Sequence, residues 1–225
     1  MLELKDLLIG YGIGYRGRRN NGVALLPPIT TMIGDGKLTC LIGRNGIGKS
    51  TLLRTIAGLQ PMLGGSVSIN GVDISTLSRQ SMARLVSIVL TDRLDLRNMS
   101  VEELVAMGRS PYTGFFGSLR DADRVIVGEA IEMVGIGSLA TKNIDELSDG
   151  ERQKVMIARA LAQQTPVILL DEPTAFLDYD SKRAVFGLLC RLAKDENKTV
   201  LMSSHDLELV REFGVETLEL KKKSP

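Results

Sequence analysis

One stretch decides the fold: Gly43-Arg44-Asn45-Gly46-Ile47-Gly48-Lys49-Ser50, with Thr51 next. It fits the pattern G-x-x-x-x-G-K-[ST], in which glycines let backbone N–H groups curl around phosphate oxygens. The apolar run at residues 38–42 before it is typical of a buried strand. The helical pattern over 50–57 after it adds a positive N-terminal end. These residues predict a loop that binds the phosphates of a nucleotide.

Two side chains of this loop are expected to carry chemistry of their own. Lys49 would reach the β- and γ-phosphates, and the Ser50 hydroxyl would bind Mg²⁺. A glycine-rich turn without a ligand is the alternative, and the strand and helix that flank the loop argue against it.

The composition is that of an ordinary globular protein. The chain has 225 residues, 44% hydrophobic and 24% charged, enough to fill the core of one domain over residues 1–225. Its 28 basic and 27 acidic residues give a net charge of +1, without a broad electrostatic surface for nucleic acid. No apolar run approaches the roughly 20 residues that cross a bilayer, and the charged start is unlike a signal peptide. We therefore expect a cytoplasmic domain that binds no nucleic acid.

Strands and helices alternate along most of the chain. Besides 38–42, buried strands are expected at 86–90, 167–170 and 199–202, and helices at about 148–164 and 181–193. This alternation is typical of an α/β fold with a mostly parallel sheet, whose ligands bind at the C-terminal strand ends. In the middle region, from about residue 100, helix-start signals precede helical stripes, so we expect a helical insertion there.

Two carboxylates end the strand expected at 167–170. Charged groups at the end of an apolar strand need a metal or hydrogen-bond partners, and neighbouring strand residues point to different sides. We assign Asp171 to the Mg²⁺ shell and Glu172 to orienting or deprotonating the attacking water. The alternative is that both acids cap the segment that begins at Pro173.

Two further candidates leave alternatives open. His205, the one histidine of the chain, follows the strand at 199–202, where an imidazole can hydrogen-bond the γ-phosphate or the attacking water. A structural or surface histidine is the alternative. Ser148 opens a helix in a capping box with Glu151, and the free N–H groups there, beside Gly150, also make an anion site. The residues alone do not decide between cap and anion site.

In this order the motifs resemble those of the ATP-binding cassette (ABC) ATPases over nearly the whole chain. The matching segments are the Walker A loop at 43–51, the signature at 147–151, Walker B at 167–172, the D-loop Ala175-Phe176-Leu177-Asp178 and the switch histidine His205. The resemblance implies an ATP-hydrolysing P-loop fold with an antiparallel β subdomain and a helical subdomain at about 92–146. It implies ATP and Mg²⁺ as cofactors, with the whole loop from Gly43 to Thr51 binding ATP and Tyr11, rather than Tyr15, stacking on adenine.

The same resemblance implies a homodimer with ATP at its interface. In that family two domains sandwich two ATP molecules, and each signature contacts the nucleotide held by the opposite subunit. This gives Ser148, Gly150 and Glu151 a role in trans and places Asp178 in the D-loop.

The segment from Val101 to Tyr112 is similar to the helical subdomain of importers for ferric siderophores, haem and cobalamin. This similarity implies an ATP-hydrolysing importer subunit on separate transmembrane permease subunits, at the inner face of the cell membrane, with an external substrate-binding protein as an indirect partner. Two other functions stay open. One is an ATP-gated interaction module without a transport partner, and the other is an ATP binder that hydrolyses weakly.

The chain departs from the family pattern at three places. Thr91 stands where the family has the Q-loop glutamine that contacts Mg²⁺, and its hydroxyl reaches less far. The signature carries Asp149 in place of its first glycine and Glu151 in place of glutamine. Only about twenty residues follow His205, so the resemblance predicts a truncated C-terminus.

Overall fold

A five-stranded parallel sheet forms the centre of the structure, a computed structural model that describes residues 1–12, 22–91, 98–114 and 117–222. Every pair of neighbouring strands in it is parallel. This confirms the predicted α/β fold, and each predicted strand is found to within one residue at either end. In spatial order the strands are β11 (Glu216–Glu219), β5 (Leu38–Ile42), β10 (Thr199–Ser203), β9 (Val167–Asp171) and β8 (Val86–Val89).

A second sheet is antiparallel, as the family resemblance implied. The turn between two of its strands contains Asn70 and Gly71, both with positive φ, which suits a tight hairpin. A small hairpin of β2 (Gly10–Tyr11) and β3 (Val23–Ala24) is separate from it. The order of the second sheet is β4 (Ile29–Ile33), β1 (Leu2–Leu8), β6 (Gly64–Ile69) and β7 (Val72–Asp73).

Helices supply apolar side chains to both faces of the parallel sheet. The helices are α1 (Lys49–Ile56), α2 (Arg79–Leu85), α3 (Val101–Ala106), α4 (Asp121–Met133), α5 (Asp149–Ala162), α6 (Tyr179–Asp195) and α7 (Leu207–Glu212). Residues of α1 and α2 join the hydrophobic core on one face, and residues of α3 to α7 join the core on the other. Within the described ranges, no helix is long and apolar enough to cross a membrane.

The central strands are buried on both faces, and their side chains alternate between the two cores. In β9, Ile168 and Leu170 belong to the core of α3 to α7, whereas Leu169 belongs to the core of α1 and α2. In β5, Cys40 and Leu41 divide in the same way. This double burial explains why these strands are continuous apolar runs, and it leaves polar side chains at the strand ends.

The predicted helical insertion contains α3, a 3₁₀ segment at Met107–Tyr112 and α4. Its expected start at 92–97 lies outside the described residues. Arg109 ties the insertion to α5, because its guanidinium bonds the Asp123 carboxylate at 2.9 Å and the Ala162 carbonyl at 2.9 Å. The same group lies 4.2 Å from the centre of the Tyr112 ring. This buried cation therefore holds three segments of the fold together.

The prediction that α6 starts at about residue 181 was wrong by two residues. The helix begins at Tyr179, because the Asp178 carboxylate accepts the backbone N–H of Ser181 at 2.7 Å and caps the first turn. The hydrogen bond holds the pKa of Asp178 below its usual range.

We predict opposite effects for two glycine-to-alanine substitutions in the helical region. A Cβ at Gly108 would lie 2.3 Å from the Arg159 carbonyl of α5, so Gly108→Ala forces the two segments apart and should cost about 1–3 kcal/mol of stability. A Cβ at Gly128, inside α4, would meet nothing within 4 Å, so Gly128→Ala should stabilise the protein by about 0.5–1 kcal/mol. Urea unfolding followed by circular dichroism measures both. Equal changes in the two variants would contradict the predicted contact.

Candidate active site

The phosphate-binding loop lies between β5 and α1, as predicted. Gly46 and Gly48 have φ values of 72° and 118°, a left-handed region that side chains with a Cβ rarely adopt. Gly48 precedes α1 and offers no side-chain cap, so the first N–H groups of the helix stay available to an anion. The loop therefore has the backbone geometry that phosphate oxygens need.

Lys49 is nearly buried at the start of α1. Among the described residues its acceptor is the Gly43 carbonyl, at 2.9 Å from Nζ. An ammonium has three N–H donors, so the other donors of Lys49 remain for a ligand. The Ile47 side chain packs in the core, and its backbone N–H donates to the Arg44 carbonyl at 3.2 Å.

An open cleft of about 410 Å³ brings nine of the predicted site residues together. Arg44, Ile47, Asp171 and Gly43 are not in its lining, and Leu25 is a lining residue that the sequence analysis missed, since it belongs to no motif. The predicted residues that line the cleft are Tyr11, Asn45, Gly46, Gly48, Lys49, Ser50, Thr51, Glu172 and His205.

Tyr11 is 60% exposed at the rim of this cleft. Its hydroxyl lies 2.9 Å from the Thr51 Oγ1, and this hydrogen bond ties Tyr11 to the first turn of α1. An exposed ring beside the phosphate-binding loop is suited to stacking on a nucleotide base. Tyr15, the other tyrosine considered for stacking on adenine, lies outside the described residues.

The end of β9 places its two carboxylates in different surroundings. Asp171 is 2% exposed, and among the described residues its oxygens accept the Ser203 hydroxyl at 2.7 Å and the Thr91 hydroxyl at 3.1 Å. Glu172 has left the strand with φ of 49°, a strained conformation that costs about 1–3 kcal/mol. This turn brings the Glu172 side chain to the cleft. The two acids therefore point in different directions because the strand ends between them, and not because neighbouring residues of a strand alternate.

Glu172 and His205 form a direct pair across two neighbouring strand ends. Glu172 Oε1 lies 2.9 Å from His205 Nε2, and both side chains are partly exposed. The pair follows from the register, because Asp171 of β9 lies opposite Ser203 of β10. A carboxylate and an imidazole in contact can hold and orient a water and pass its proton.

A third group of polar side chains fastens the segments that follow these strand ends. Asp206 accepts Lys182 Nζ at 2.7 Å and the Thr174 hydroxyl at 2.7 Å. Burial opposes ionisation of Asp206, but these hydrogen bonds outweigh it and hold the pKa of Asp206 below its usual range. Asp206, the residue after His205, is thereby joined to Thr174, two residues after Glu172, and to Lys182 of α6.

The signature residues do not reach the cleft of their own chain. Ser148 and Glu151 form the predicted capping box of α5, in which the Ser148 hydroxyl also donates to the Glu151 carboxylate at 2.7 Å. These hydrogen bonds lower the pKa of Glu151. A Cβ at Gly150 would lie 3.2 Å from the Phe176 carbonyl, so the start of α5 packs on the segment that ends at Asp178. Capping accounts for Ser148 and Asp178 within one chain.

Ser50 in the cleft and the buried Asp171 fit a complex of Mg²⁺ with a phosphate ligand. In the described part of the chain no group of three or more His, Cys, Asp or Glu could hold a metal ion without help. Mg²⁺ usually keeps several waters and binds through one or two protein oxygens together with substrate phosphates. The Ser50 hydroxyl and the buried Asp171 carboxylate are oxygen donors of that kind.

These features define a phosphate-loop nucleoside triphosphatase: a glycine-rich loop at a helix N-terminus, with carboxylates at a neighbouring strand end. The chain belongs to the ABC transporter family, whose model matches residues 26–175. It is therefore an ATP-binding cassette ATPase.

Two curated relatives cover almost the whole chain. The achromobactin transport ATP-binding protein CbrD of Dickeya dadantii is 42% identical over 210 residues, 93% of this chain and 75% of the relative. The iron(3+)-hydroxamate import ATP-binding protein FhuC of Bacillus subtilis is 39% identical over 211 residues, 94% of this chain and 77% of the relative.

A solved structure has the same fold. It is the dimeric post-hydrolysis state of the ATP-binding cassette MJ0796 bound to ADP and Pi, with a TM-score of 0.84 and 27% identity. The match covers 98% of this chain and 94% of that one.

The Asp206 group predicts a pH-dependent contribution to stability. Because the folded pKa of Asp206 is lowered, its stabilisation is present above the unfolded pKa and is lost as the pH falls through the folded pKa. Lys182→Met should cost about 1 kcal/mol at pH 7, and the difference from the unsubstituted protein should shrink in acid. Urea unfolding at several pH values measures this.

The matched control is Lys37→Met, which removes an ion pair with Glu216 in which both side chains are about half exposed. This control should change stability little at any pH. A Lys182→Met effect that is equally small, or that grows in acid, would contradict the prediction.

Proposed function

We propose that the chain hydrolyses ATP as the energy-supplying subunit of an ABC importer for an iron complex. The observation that carries the ATPase chemistry is the cleft that joins Lys49 and Ser50, at the start of α1, to Glu172 and His205, which follow two strand ends. Cobalamin, which the resemblance of the 101–112 segment also allows, is the alternative cargo.

In this proposal the phosphate-binding loop holds the triphosphate. The backbone N–H groups of Gly46 and of residues 48–51, with the free donors of Lys49, neutralise its negative charge, while Tyr11 stacks on the adenine. Ser50 and Asp171 hold Mg²⁺, which supplies further charge neutralisation on the phosphates. These interactions position the terminal phosphate over the end of β9.

Glu172 and His205 act on the attacking water. Glu172 Oε1 accepts the proton of the water or orients its lone pair, and its strained backbone points the side chain into the cleft. His205 Nε2 lies 2.9 Å from the same oxygen and keeps the carboxylate in place until the imidazole binds the γ-phosphate or the water. The partial exposure of both groups agrees with a role at an open site that a ligand completes.

The cleft is completed by a second copy of the chain. Ser148, Gly150 and Glu151 lie outside the cleft of their own chain, which supports contact with a nucleotide held by the partner. Gly150 packs against Phe176 and Leu177, the D-loop residues that precede Asp178 at the start of α6. The dimeric structure to which this chain is similar was captured with ADP and Pi, in agreement with an ATP sandwich.

The names of the relatives support the proposed cargo and transport partners. Two proteins that match over at least 93% of this chain are named for achromobactin transport and iron(3+)-hydroxamate import. By analogy this chain docks on permease subunits at the inner face of the cell membrane, and a substrate-binding protein delivers the cargo from outside. An ATP-gated interaction module or a weak hydrolase remains the competing function.

We predict that Glu172→Gln leaves ATP affinity intact and slows turnover about 100-fold or more, because the amide cannot accept the proton of water. Phosphate release and equilibrium binding of ATP measure the two quantities. Glu208→Gln is the matched control, since Glu208 is an exposed acid near His205 that does not line the cleft, and it should hydrolyse ATP normally. An unchanged steady-state ATPase rate in Glu172→Gln would refute its assignment.

We also predict that the chain co-purifies with a polytopic membrane protein and that an iron chelate stimulates the assembled complex. ATPase activity in proteoliposomes, with a substrate-binding protein and either a ferric siderophore, haem or cobalamin, identifies the cargo. Stimulation by cobalamin alone would replace the iron proposal. Full ATPase activity of the chain without any membrane partner would favour the interaction module, and hydrolysis that stays slow with the permease would favour the weak hydrolase.

A further inference from the structure

The Asp171 carboxylate is held from two sides by hydroxyl groups of the neighbouring strand ends. Ser203 donates to Oδ1 at 2.7 Å from the end of β10, and Thr91 donates to Oδ2 at 3.1 Å from just beyond β8. These two strands flank β9 in the sheet. Asp171 therefore lies between one donor from each neighbouring strand end.

The Ser203 hydroxyl has a fixed orientation. Its side chain is completely buried, its proton is donated to Asp171, and its oxygen accepts the backbone N–H of Glu172 at 2.9 Å. A hydroxyl that both donates and accepts cannot rotate without losing one bond. Ser203 thus ties the Asp171 carboxylate to the backbone of the residue that follows it.

Thr91 completes the arrangement from the exposed side. Its residue is exposed, so its hydroxyl lies between the solvent and a carboxylate that is 2% exposed. Each carboxylate oxygen can accept more than one hydrogen bond, so both hydroxyls leave lone pairs for a metal ion or its water. The two donors fix the plane of the carboxylate without blocking it.

We propose that Thr91 and Ser203 are positioning residues that hold the Asp171 carboxylate in the orientation that Mg²⁺–nucleotide binding needs. The inference rests on the proposed function, in which Asp171 belongs to the magnesium shell. Thr91 then acts on the magnesium through Asp171, at the position where the resemblance expects a glutamine that reaches the metal itself. Hydrogen bonds that orient metal ligands are commonly worth a factor of about 10–100 in metal affinity.

The test is the magnesium dependence of nucleotide binding, measured by titrating Mg²⁺ into the full chain with a fluorescent ATP analogue. Thr91→Val keeps the shape and removes the hydroxyl, so half-maximal binding should need about 10-fold more Mg²⁺. Binding of the analogue in EDTA should be unchanged, because the loop and Tyr11 are intact. Thr91→Ser keeps the hydroxyl and should titrate like the unsubstituted chain, and Ser203→Ala should shift as Thr91→Val does.

Thr165→Val is the matched control. Thr165 is a buried residue two positions before the start of β9. Its hydroxyl contacts Ser87 Oγ at 3.0 Å and the Val167 carbonyl at 2.8 Å. This substitution removes a buried hydroxyl at the opposite end of the same strands, so it should lower stability and leave the magnesium titration unchanged. A Thr91→Val titration that matches the unsubstituted chain, or an equal shift in Thr165→Val, would overturn the inference. Failure of the unsubstituted chain to bind the analogue at any Mg²⁺ concentration would instead refute the proposed function.

Discussion

Burial of the parallel sheet on both faces is the constraint on which the rest of this structure depends. Each central strand sends alternate side chains into two hydrophobic cores, so a charged group within a strand would lie in an apolar surrounding on either face. Polar chemistry is therefore confined to the strand ends. Because all five strands are parallel, their C-terminal ends meet at one edge, and β5, β9 and β10 each deliver site residues there.

Hydrogen bonds between neighbouring strand ends turn this edge into a connected unit. Ser203 links the end of β10 to Asp171 and Glu172, and His205 contacts Glu172 directly. Asp206 continues the connection to Thr174 and Lys182. A displacement of one strand end therefore breaks bonds to the next, and this connection offsets the strained backbone of Glu172.

The local patterns were sufficient to predict four of the five strands of the parallel sheet, the phosphate-binding loop and the acids at the end of β9. They did not predict β11, which pairs with β5. Glycine spacing, apolar runs and helix caps act within a few residues, so they can be read along the chain. The contact of Thr91 with Asp171 joins residues 80 positions apart, and no local pattern encodes it. Leu25 was missed for the same reason, since it enters the cleft only when the chain is folded.

The capping box of α5 shows how one serine can serve the fold and the proposed dimer in turn. Within the chain the Ser148 hydroxyl accepts the Glu151 N–H and donates to the Glu151 carboxylate at 2.7 Å. A phosphate oxygen of a partner's ATP is an anionic acceptor of the same kind as that carboxylate. The Ser148 hydroxyl can thus donate its hydrogen bond to the phosphate instead of to the Glu151 carboxylate, while it still accepts the Glu151 N–H and caps α5. The exchange takes one hydrogen bond from the Glu151 carboxylate and brings a second anion close to it, so it carries a cost that the other contacts of the proposed dimer must offset.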